Sequence, residues 1–220
     1  MDLKHPERKF EDKDRLPFKV ASDYELCIKN LTDENFKIIK GLEEADIAWL
    51  YTNIADFKEF EGKFTNQFPY EACIVNKLYL ADTVNKGAGN VEWMQPTYDL
   101  ATELEAFIGH YNYRKKNHLS NLWIIKSPAL ARSMDMVVTD NLDMIIRMIE
   151  TGPRIAQKYI ENPSLVKKRK YDMRFLIAVR SIAPLEVFIY NNFYGRIADR
   201  EYTLDPRSFE SFETHWTVMK

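Results

Sequence analysis

The sequence contains few of the residues that mark several specialised protein classes. Its 2 cysteines, Cys27 and Cys73, are too few for a disulfide framework and predict a reducing compartment. Its 7 glycines exclude collagen-like and glycine-rich classes. No apolar run approaches the roughly 20 residues that a membrane span needs, and residues 1–17 lack the apolar segment of a secretory signal. We therefore expect a cytoplasmic or nuclear protein without a membrane partner.

The composition that remains is that of a folded protein with an uneven charge distribution. The 220 residues are 45% hydrophobic and 13% aromatic, which supplies the apolar area that folding requires. The formal net charge is only −2, yet residues 154–200 hold 10 basic and 4 acidic residues, a local charge of +6. This segment indicates an anionic ligand, such as a nucleotide phosphate or an acidic peptide. The alternative is that exposed lysines and arginines protect a sheet edge.

The hydrophobic pattern predicts a mixed α/β protein. Helices and strands alternate in the first part of the sequence and strands cluster later, a pattern typical of α/β followed by α+β structure. Helices are predicted over residues 24–31, 55–64, 77–84, 102–113 and after Asp140 or Asn141. Strands are predicted over residues 36–39, 45–51, 122–126, 154–160, 171–181, 185–191 and 193–198. The polar stretch 85–90 is predicted to be a flexible link.

Two segments carry candidate residues for a nucleotide site. Lys126 ends a buried strand, where its charge can hold a phosphate. The structural alternative is a lysine that only reaches water. The segment Gln157-Lys158-Tyr159-Ile160-Glu161 follows an apolar strand start, and its backbone can bind an adenine edge. Here the alternative is a half-buried strand without a ligand.

A third segment carries charges on one face of a predicted strand. Alternation places Lys170, Asp172 and Arg174 on the same face. Arg196 comes from another predicted strand of the same sheet, and this combination suits carboxylate and phosphate oxygens. A solvated strand face is the alternative.

Several kinds of site have no signature in the sequence. No cluster of His, Cys, Asp and Glu has zinc spacing, so no metal ligand is predicted in this chain. No nucleophile elbow, P-loop or dinucleotide-binding glycine motif is present. Basic and aromatic residues interleave near Arg180 to Arg200 without an RNA-binding motif, so we do not expect a nucleic-acid partner.

Taken in order and spacing, a set of short motifs resembles the tubulin–tyrosine ligase-like family of ATP-grasp ligases. The resemblance extends from about residue 22 to the end, and Leu130-Ala131-Arg132-Ser133 with Thr217-Val218-Met219 resembles one branch of the family. The other motifs are Asn66-Gln67-Phe68-Pro69 with Lys77, Pro96-Thr97-Tyr98, Trp123-Ile124-Ile125-Lys126-Ser127-Pro128, Gln157-Lys158-Tyr159-Ile160-Glu161-Asn162-Pro163, Lys170-Tyr171-Asp172-Met173-Arg174, Pro184-Leu185-Glu186-Val187-Phe188-Ile189-Tyr190, Gly195-Arg196 and His215-Trp216-Thr217.

The resemblance implies an ATP-grasp fold that is truncated in its C-terminal lobe. Residues 1–19 are then a charged lead-in and 20–90 an N-terminal α/β domain. Residues 91–161 are the central ATP-grasp domain, and 162–220 are the first strands of an incomplete C-terminal domain.

The resemblance also implies roles for individual residues. ATP would activate a carboxylate as an acyl phosphate, which the amine of an amino acid then attacks. Arg174 and Arg196 would be catalytic residues on the substrate side, together with Asp172. The implied partner is the acidic tail of tubulin or another acidic protein, in the cytoplasm, in the nucleus or on microtubules. The residues implied in binding ATP are Lys77, Lys126, Gln157, Lys158, Ile160, Lys170 and Asp172.

Two departures from the family pattern argue against turnover by these 220 residues. Arg132-Ser133-Met134-Asp135 stands where the family has Arg-Gly-x-Gly, and its side chains would crowd a phosphate. The family's Mg²⁺ ligands (Asp, Glu and Asn) are expected beyond Lys220. The sequence therefore leaves two readings open. One is an ATP-dependent amino-acid ligase, and the other is a non-catalytic ATP-grasp module that binds tubulin or regulates another protein.

Overall fold

The computed structural model describes residues 16–89, 91–130 and 135–217. The chain divides into two compact units, of which the first runs to Glu71 and includes Ser181–Leu185, and the second holds the remaining residues. The predicted mixed α/β class is confirmed. Within the described ranges, no helix has the length and apolar character to cross a membrane.

The first unit is built on a parallel sheet. Its strands lie in the order β2-β1-β3-β4, and Val20 of β1 pairs with Ile38 of β2 and Ile47 of β3. Val20, Ala21 and Ala48 are buried, as expected for a parallel sheet covered on its faces. The elements are β1 (Phe18–Ser22), α1 (Glu25–Asn30), β2 (Phe36–Ile39), β3 (Ile47–Trp49) and β4 (Phe64–Thr65).

Two boundaries in this unit differ from the sequence prediction. Strand β1 begins at Phe18, inside the expected lead-in 1–19, of which residues 1–15 lie outside the described ranges. The helix predicted over 55–64 is wrong, because only a 3₁₀ turn forms at Phe57–Phe60. Gly62 follows with φ of 80°, a conformation that ends helical structure. The predicted helix over 24–31 and the strands over 36–39 and 45–51 are confirmed.

The second unit contains an antiparallel sheet covered by a helix. Its strands lie in the order β5-β8-β6-β7. Phe107 of helix α4 packs on Trp123, with ring centroids 5.0 Å apart, over Ile125 and Ala156. The elements are α2 (Ala72–Val75), α3 (Lys77–Ala88), β5 (Thr97–Asp99), α4 (Leu104–Lys116), β6 (Trp123–Lys126), β7 (Val137–Thr139), α5 (Leu142–Arg147), β8 (Ile155–Lys158), β9 (Leu165–Val166), β10 (Arg169–Ile182), β11 (Leu185–Ile197) and α6 (Phe212–His215), with 3₁₀ turns at Met148–Thr151 and Pro206–Ser208.

Most differences between the predicted and the observed structure of this unit are at the ends of helices. The link predicted at 85–90 is wrong as far as Ala88, because α3 continues to that residue. A salt bridge of 2.8 Å between Lys86 and Asp82 supports its last turns, and Gly89 ends it with φ of 67°. The helix predicted over 102–113 is observed at Leu104–Lys116, two residues later at its start. The cap is Glu103, because the Thr102 hydroxyl donates to Asp99.

A long hairpin, apart from its turn at Ser181–Leu185, belongs to the second unit. Strands β10 and β11 lie side by side in the order β11-β10-β9. The two strands predicted over 185–191 and 193–198 are one continuous strand, β11. Most side chains of the hairpin are exposed, including apolar ones such as Leu176, Ile189 and Tyr194.

Candidate nucleotide-binding site

Strand alternation gives the antiparallel sheet two chemically different faces. Trp123, Ile125 and Ala156 are fully buried and face helix α4. The residues that alternate with these along β6 and β8 project to the opposite side of the sheet. There, Thr97 lies opposite Gln157 in the strand register, and Lys126 is the last residue of β6. We call the side with Thr97, Lys126 and Gln157 the polar face.

Hydrogen bonds join these three side chains across three strands. Lys126 Nζ donates to Gln157 Oε1 at 2.6 Å, and Gln157 Nε2 donates to Thr97 Oγ1 at 2.8 Å. Thr97 Oγ1 in turn donates to the Gln95 carbonyl at 2.8 Å. The amide oxygen and the amide nitrogen of Gln157 therefore each have a hydrogen-bond partner, which fixes the orientation of the side chain. The partner of Lys126 is this neutral amide.

The positive charges of two further lysines affect the pKa of Lys126. Lys77 is the first residue of α3, and its Nζ donates to the Leu130 carbonyl at 2.6 Å. Lys170 is the second residue of β10. Burial lowers the pKa of Lys126 to about 8, and the positive charges of Lys77 and Lys170 lower it in the same direction. The charges of Lys77 and Lys170 thus both act on Lys126, and we call these three residues the lysine trio.

Lys158 lies on the other side of the sheet. It is opposite Trp123 in the register, is 7% exposed, and is therefore on the α4 side. Its Nζ donates to the Leu122 carbonyl at 2.8 Å and forms a short ion pair with Glu161. Its side chain does not join the polar face. Ile160, in contrast, is half exposed beyond the end of β8.

The predicted substrate-side residues form a group around one carboxylate. Asp172 accepts two hydrogen bonds from Arg196 Nε, at 2.9 and 3.2 Å, and a shorter one from Arg196 Nη2. Arg174 Nε lies 3.5 Å from the same carboxylate, and Thr217 Oγ1 also donates to it. The hydrogen bonds from Arg196 lower the pKa of Asp172. Lys170, Asp172 and Arg174 therefore share a face as predicted, and most of the Arg196 charge is neutralised.

The segment that departs from the family pattern is described only from Asp135 onwards. Asp135 has φ of 54°, in the left-handed region that glycine adopts most readily. The buried guanidinium of Arg154 donates to the Asp135 carbonyl at 3.0 Å and lies 3.8 Å from its carboxylate. The other positions of the segment, 132–134, lie outside the described residues.

Sequence reasoning missed several residues that organise the site. Thr97 lies in the motif Pro96-Thr97-Tyr98, but the sequence does not predict that it binds Gln157. Its position opposite Gln157 in the strand register explains this contact. Tyr159 and His215 were not predicted to bind each other, since 56 positions separate them. Within the described ranges, no group of three or more His, Cys, Asp or Glu side chains is arranged to hold a metal ion.

Comparison with known proteins gives a consistent result. The family model described as "Tubulin-tyrosine ligase family" matches residues 56–220. The chain is 37% identical to tubulin–tyrosine ligase-like protein 12 of Caenorhabditis elegans, over 91% of this chain and 31% of that protein. It is 34% identical to the protein of the same name from Homo sapiens, over 92% of this chain and 33% of that protein.

A more distant relative is tubulin glycylase 3C of Tetrahymena thermophila. It is 35% identical over 44% of this chain and 9% of the glycylase. The chain spans about a third of the length of the first two relatives. The family match covers most of the sequence, and the mixed α/β structure agrees with the family's ATP-grasp-like fold. The chain therefore belongs to the tubulin-tyrosine ligase family.

Proposed function

We propose that this chain binds ATP through the polar face and the lysine trio, as part of a protein that joins an amino acid to tubulin. The observation that carries the proposal is that the half-buried Lys126 ammonium donates to the neutral amide of Gln157, while the charges of Lys77 and Lys170 act on it and lower its pKa. Like charges acting on one another at a half-buried position lower the free energy of unfolding. A polyphosphate that binds there would relieve this cost.

The partners of Lys126 support an anionic ligand. Among the residues that the structure describes, Lys126 has no carboxylate within ion-pair distance, and its hydrogen bond is to the amide of Gln157. Lys126 is half-buried, and withdrawing a lysine ammonium from water without a counter-ion costs free energy that an anionic ligand would offset. We assign Lys126, Lys77 and Lys170 to the phosphates of ATP.

The adenine would lie near the end of β8. Gln157 and Ile160 are accessible from the polar face and from the strand end, respectively. We assign Lys158 a different part in this site. Its ion pair with Glu161 would hold the backbone in the region of Gln157 and Ile160 in place. Lys158 would therefore position these residues without contacting ATP.

The chemistry of the proposal is carboxylate–amine ligation. ATP would phosphorylate a carboxylate, and an amino acid amine would displace the phosphate from the acyl phosphate. Arg174, with its side chain half exposed and Asp172 at 3.5 Å, is the cation best placed to meet a substrate carboxylate. Arg196 would orient Asp172. The described residues offer no Mg²⁺ ligand group, so we assign the metal none of them.

Tubulin enters the proposal through the relatives. One is named as a tubulin glycylase and another as a probable tubulin polyglutamylase. The basic segment 154–200 suits an acidic tail by charge complementarity. A tubulin partner would place the protein in the cytoplasm, on microtubules or in the nucleus.

The test is titration of MgATP into the chain by isothermal calorimetry. We expect binding by the wild type and at least tenfold weaker binding by Lys126→Ala, because a charge-assisted contact to phosphate is lost. Lys116→Ala removes the same charge from an exposed position on α4 and should bind like the wild type. Equal affinity of the wild type and Lys126→Ala would disprove the site.

Asp135 favours a second candidate, a non-catalytic module that binds tubulin or regulates a partner. Its carboxylate occupies a position where the family pattern has glycine, and it would repel a nearby phosphate. Incorporation of labelled tyrosine, glutamate or glycine into tubulin separates the candidates. Transfer by the 220-residue chain would exclude the non-catalytic reading. ATP binding that tightens in Asp135→Gly, without transfer, would favour it.

A further inference from the structure

A row of hydrogen-bonded side chains leads away from the lysine trio into the interior. Lys170 Nζ donates to the Tyr159 hydroxyl at 3.1 Å, and this hydroxyl lies 2.9 Å from His215 Nδ1. His215 Nε2 lies 3.1 Å from Ser208 Oγ, whose hydroxyl donates to the Asp205 carbonyl at 2.6 Å. We call Ser208, His215, Tyr159 and Lys170 the His215 network.

The chemistry of these groups fixes the direction of every hydrogen bond. A lysine ammonium can only donate, so the Tyr159 oxygen accepts from Lys170. The Tyr159 hydroxyl then has its own proton free to donate to His215 Nδ1. The single proton of the Ser208 hydroxyl is donated to the Asp205 carbonyl, so the Ser208 oxygen accepts from His215 Nε2, which therefore carries the imidazole proton. Only the neutral Nε2–H tautomer satisfies all four groups.

The surroundings of His215 favour this neutral form. Its side chain is 3% exposed, and the rings of Tyr202, Phe209 and Trp216 pack around it with centroids 5.6 to 6.0 Å away. Burial lowers the pKa of His215 to about 4, and the charge of Lys170 lowers it further in the same direction. At neutral pH the imidazole is a fixed hydrogen-bond acceptor for Tyr159.

We propose that His215 is a positioning residue for Lys170, because it fixes the Tyr159 hydroxyl as the acceptor that holds the ammonium beside Lys126. The inference rests on the proposed function, in which Lys170 binds a phosphate of ATP. Lys170 Nζ also lies 4.8 Å from the centre of the Tyr159 ring. The attraction between the ring and the ammonium depends weakly on orientation, whereas the hydrogen bond to the hydroxyl fixes where the Lys170 N–H points.

The first experiment requires no nucleotide. Nitrogen-15 NMR of the wild-type chain at pH 7 should show His215 as the Nε2–H tautomer, with a non-protonated Nδ1. In Tyr159→Phe, the pKa of the Lys170 ammonium should fall, because the lost hydroxyl stabilised the charged form. An Nδ1–H tautomer, an imidazolium, or an unchanged Lys170 pKa would overturn the network.

The second experiment measures ATP affinity by calorimetry. His215→Leu removes the acceptor, and we expect about tenfold weaker binding, the size of one hydrogen bond to a charged group. His215→Asn places an amide oxygen near the position of Nδ1 and should recover binding to within about threefold. Ser208→Ala is a milder variant that keeps the test available if His215→Leu does not fold.

A double-mutant comparison separates positioning from general damage. In a Lys170→Met background, His215→Leu should weaken ATP binding by less than about twofold, because its effect passes through Lys170. The same tenfold loss in that background would overturn the positioning role. Absence of ATP binding by the wild type would disprove the proposed function, whereas the nucleotide-free NMR result decides the His215 network by itself.

Discussion

Two lysines on opposite faces of one sheet, Lys158 buried and Lys126 half-buried, have opposite kinds of partner. Lys158, on the α4 side, has a carboxylate partner in Glu161 and a carbonyl partner in Leu122. Lys126, on the polar face, has only a neutral amide partner, and further cations lie nearby. Burial lowers the pKa of both lysines, but only for Lys158 does a hydrogen-bonded anion act in the opposite direction.

The difference separates a structural charge from a charge kept for a ligand. A buried cation with an internal counter-ion is neutralised in the folded protein and offers little attraction to an anion outside. A half-buried cation on which other cations act makes the folded state less stable and attracts an anion more strongly. Three substitutions and one measurement of proton uptake test whether this distinction holds.

The largest effect is expected when the Lys158 pair is broken. Glu161→Gln leaves Lys158 buried with no carboxylate partner, which we expect to lower the free energy of unfolding by about 3 kcal/mol. Urea denaturation followed by tryptophan fluorescence measures it. Glu150→Gln changes an exposed glutamate in the same unit and should have almost no effect. A loss below about 1 kcal/mol for Glu161→Gln would mean that this pair does not stabilise the fold.

Removal of Lys126 should raise the free energy of unfolding, whereas breaking the Lys158 pair lowers it. The pKa of Lys126 is about 8 in the folded protein and 10.5 in its ordinary state. Its destabilising contribution is therefore complete below pH 8 and disappears as the pH rises to about 10.5. We expect Lys126→Met to raise the free energy of unfolding by about 2 kcal/mol at pH 7.

The pH dependence provides the control for that prediction. The stability difference between Lys126→Met and the wild type should shrink as the pH rises from about 8 and become small above about pH 10.5, where Lys126 loses its proton in the unfolded state as well. Lys116→Met, at an exposed position, should show no such trend. A variant that is less stable than the wild type at pH 7 would show that Lys126 is structural, like Lys158.

A third effect concerns protons taken up with the ligand. At pH 8, about half of the Lys126 side chains carry a proton, because the pH equals their pKa. Binding of the ATP phosphates should restore the charge and take up about half a proton for each ATP. Calorimetry in two buffers of different ionisation enthalpy measures this number. Lys126→Met should abolish the uptake, and uptake that persists in the variant would assign it to another group.

The smallest effect is expected at a partly exposed charge group. Asp172→Asn removes the carboxylate that Arg196 holds, but both side chains keep contact with water. We expect a loss of about 1 kcal/mol in the free energy of unfolding, by urea denaturation. Asp82→Asn breaks the exposed pair with Lys86 and should have a smaller effect than Asp172→Asn, because water screens the pair. Equal losses would show that the geometry at Asp172 adds nothing.

Much of the second unit could be predicted from local patterns. The apolar run ending at Lys126 formed the expected strand, and Asn141 capped the helix that follows, as one of two predicted caps. Alternation correctly placed Lys170, Asp172 and Arg174 on one face. These results depend on neighbours in sequence, which a periodicity captures. The family resemblance was confirmed by the match over residues 56–220.

The rest depended on contacts between distant positions. No local pattern indicates that Lys158 faces α4 while Gln157 faces Lys126, because this requires the strand register. The His215 network joins residues up to 56 positions apart. The 3₁₀ turn at Phe57–Phe60 and the extra turn of α3 were set by the backbone angles at Gly62 and Gly89. The ATP, Mg²⁺ and tubulin assignments stay predictions.

The two-faced sheet also limits how this sequence can change in length. A single inserted residue within β8 would exchange the two sides of the strand beyond the insertion. Gln157 would then enter the aromatic interior beneath α4, and Ala156 would replace it beside Lys126. Insertions and deletions should therefore be accepted in the connecting loops and rejected within β6 and β8, a pattern that a deep insertion scan of the gene would reveal.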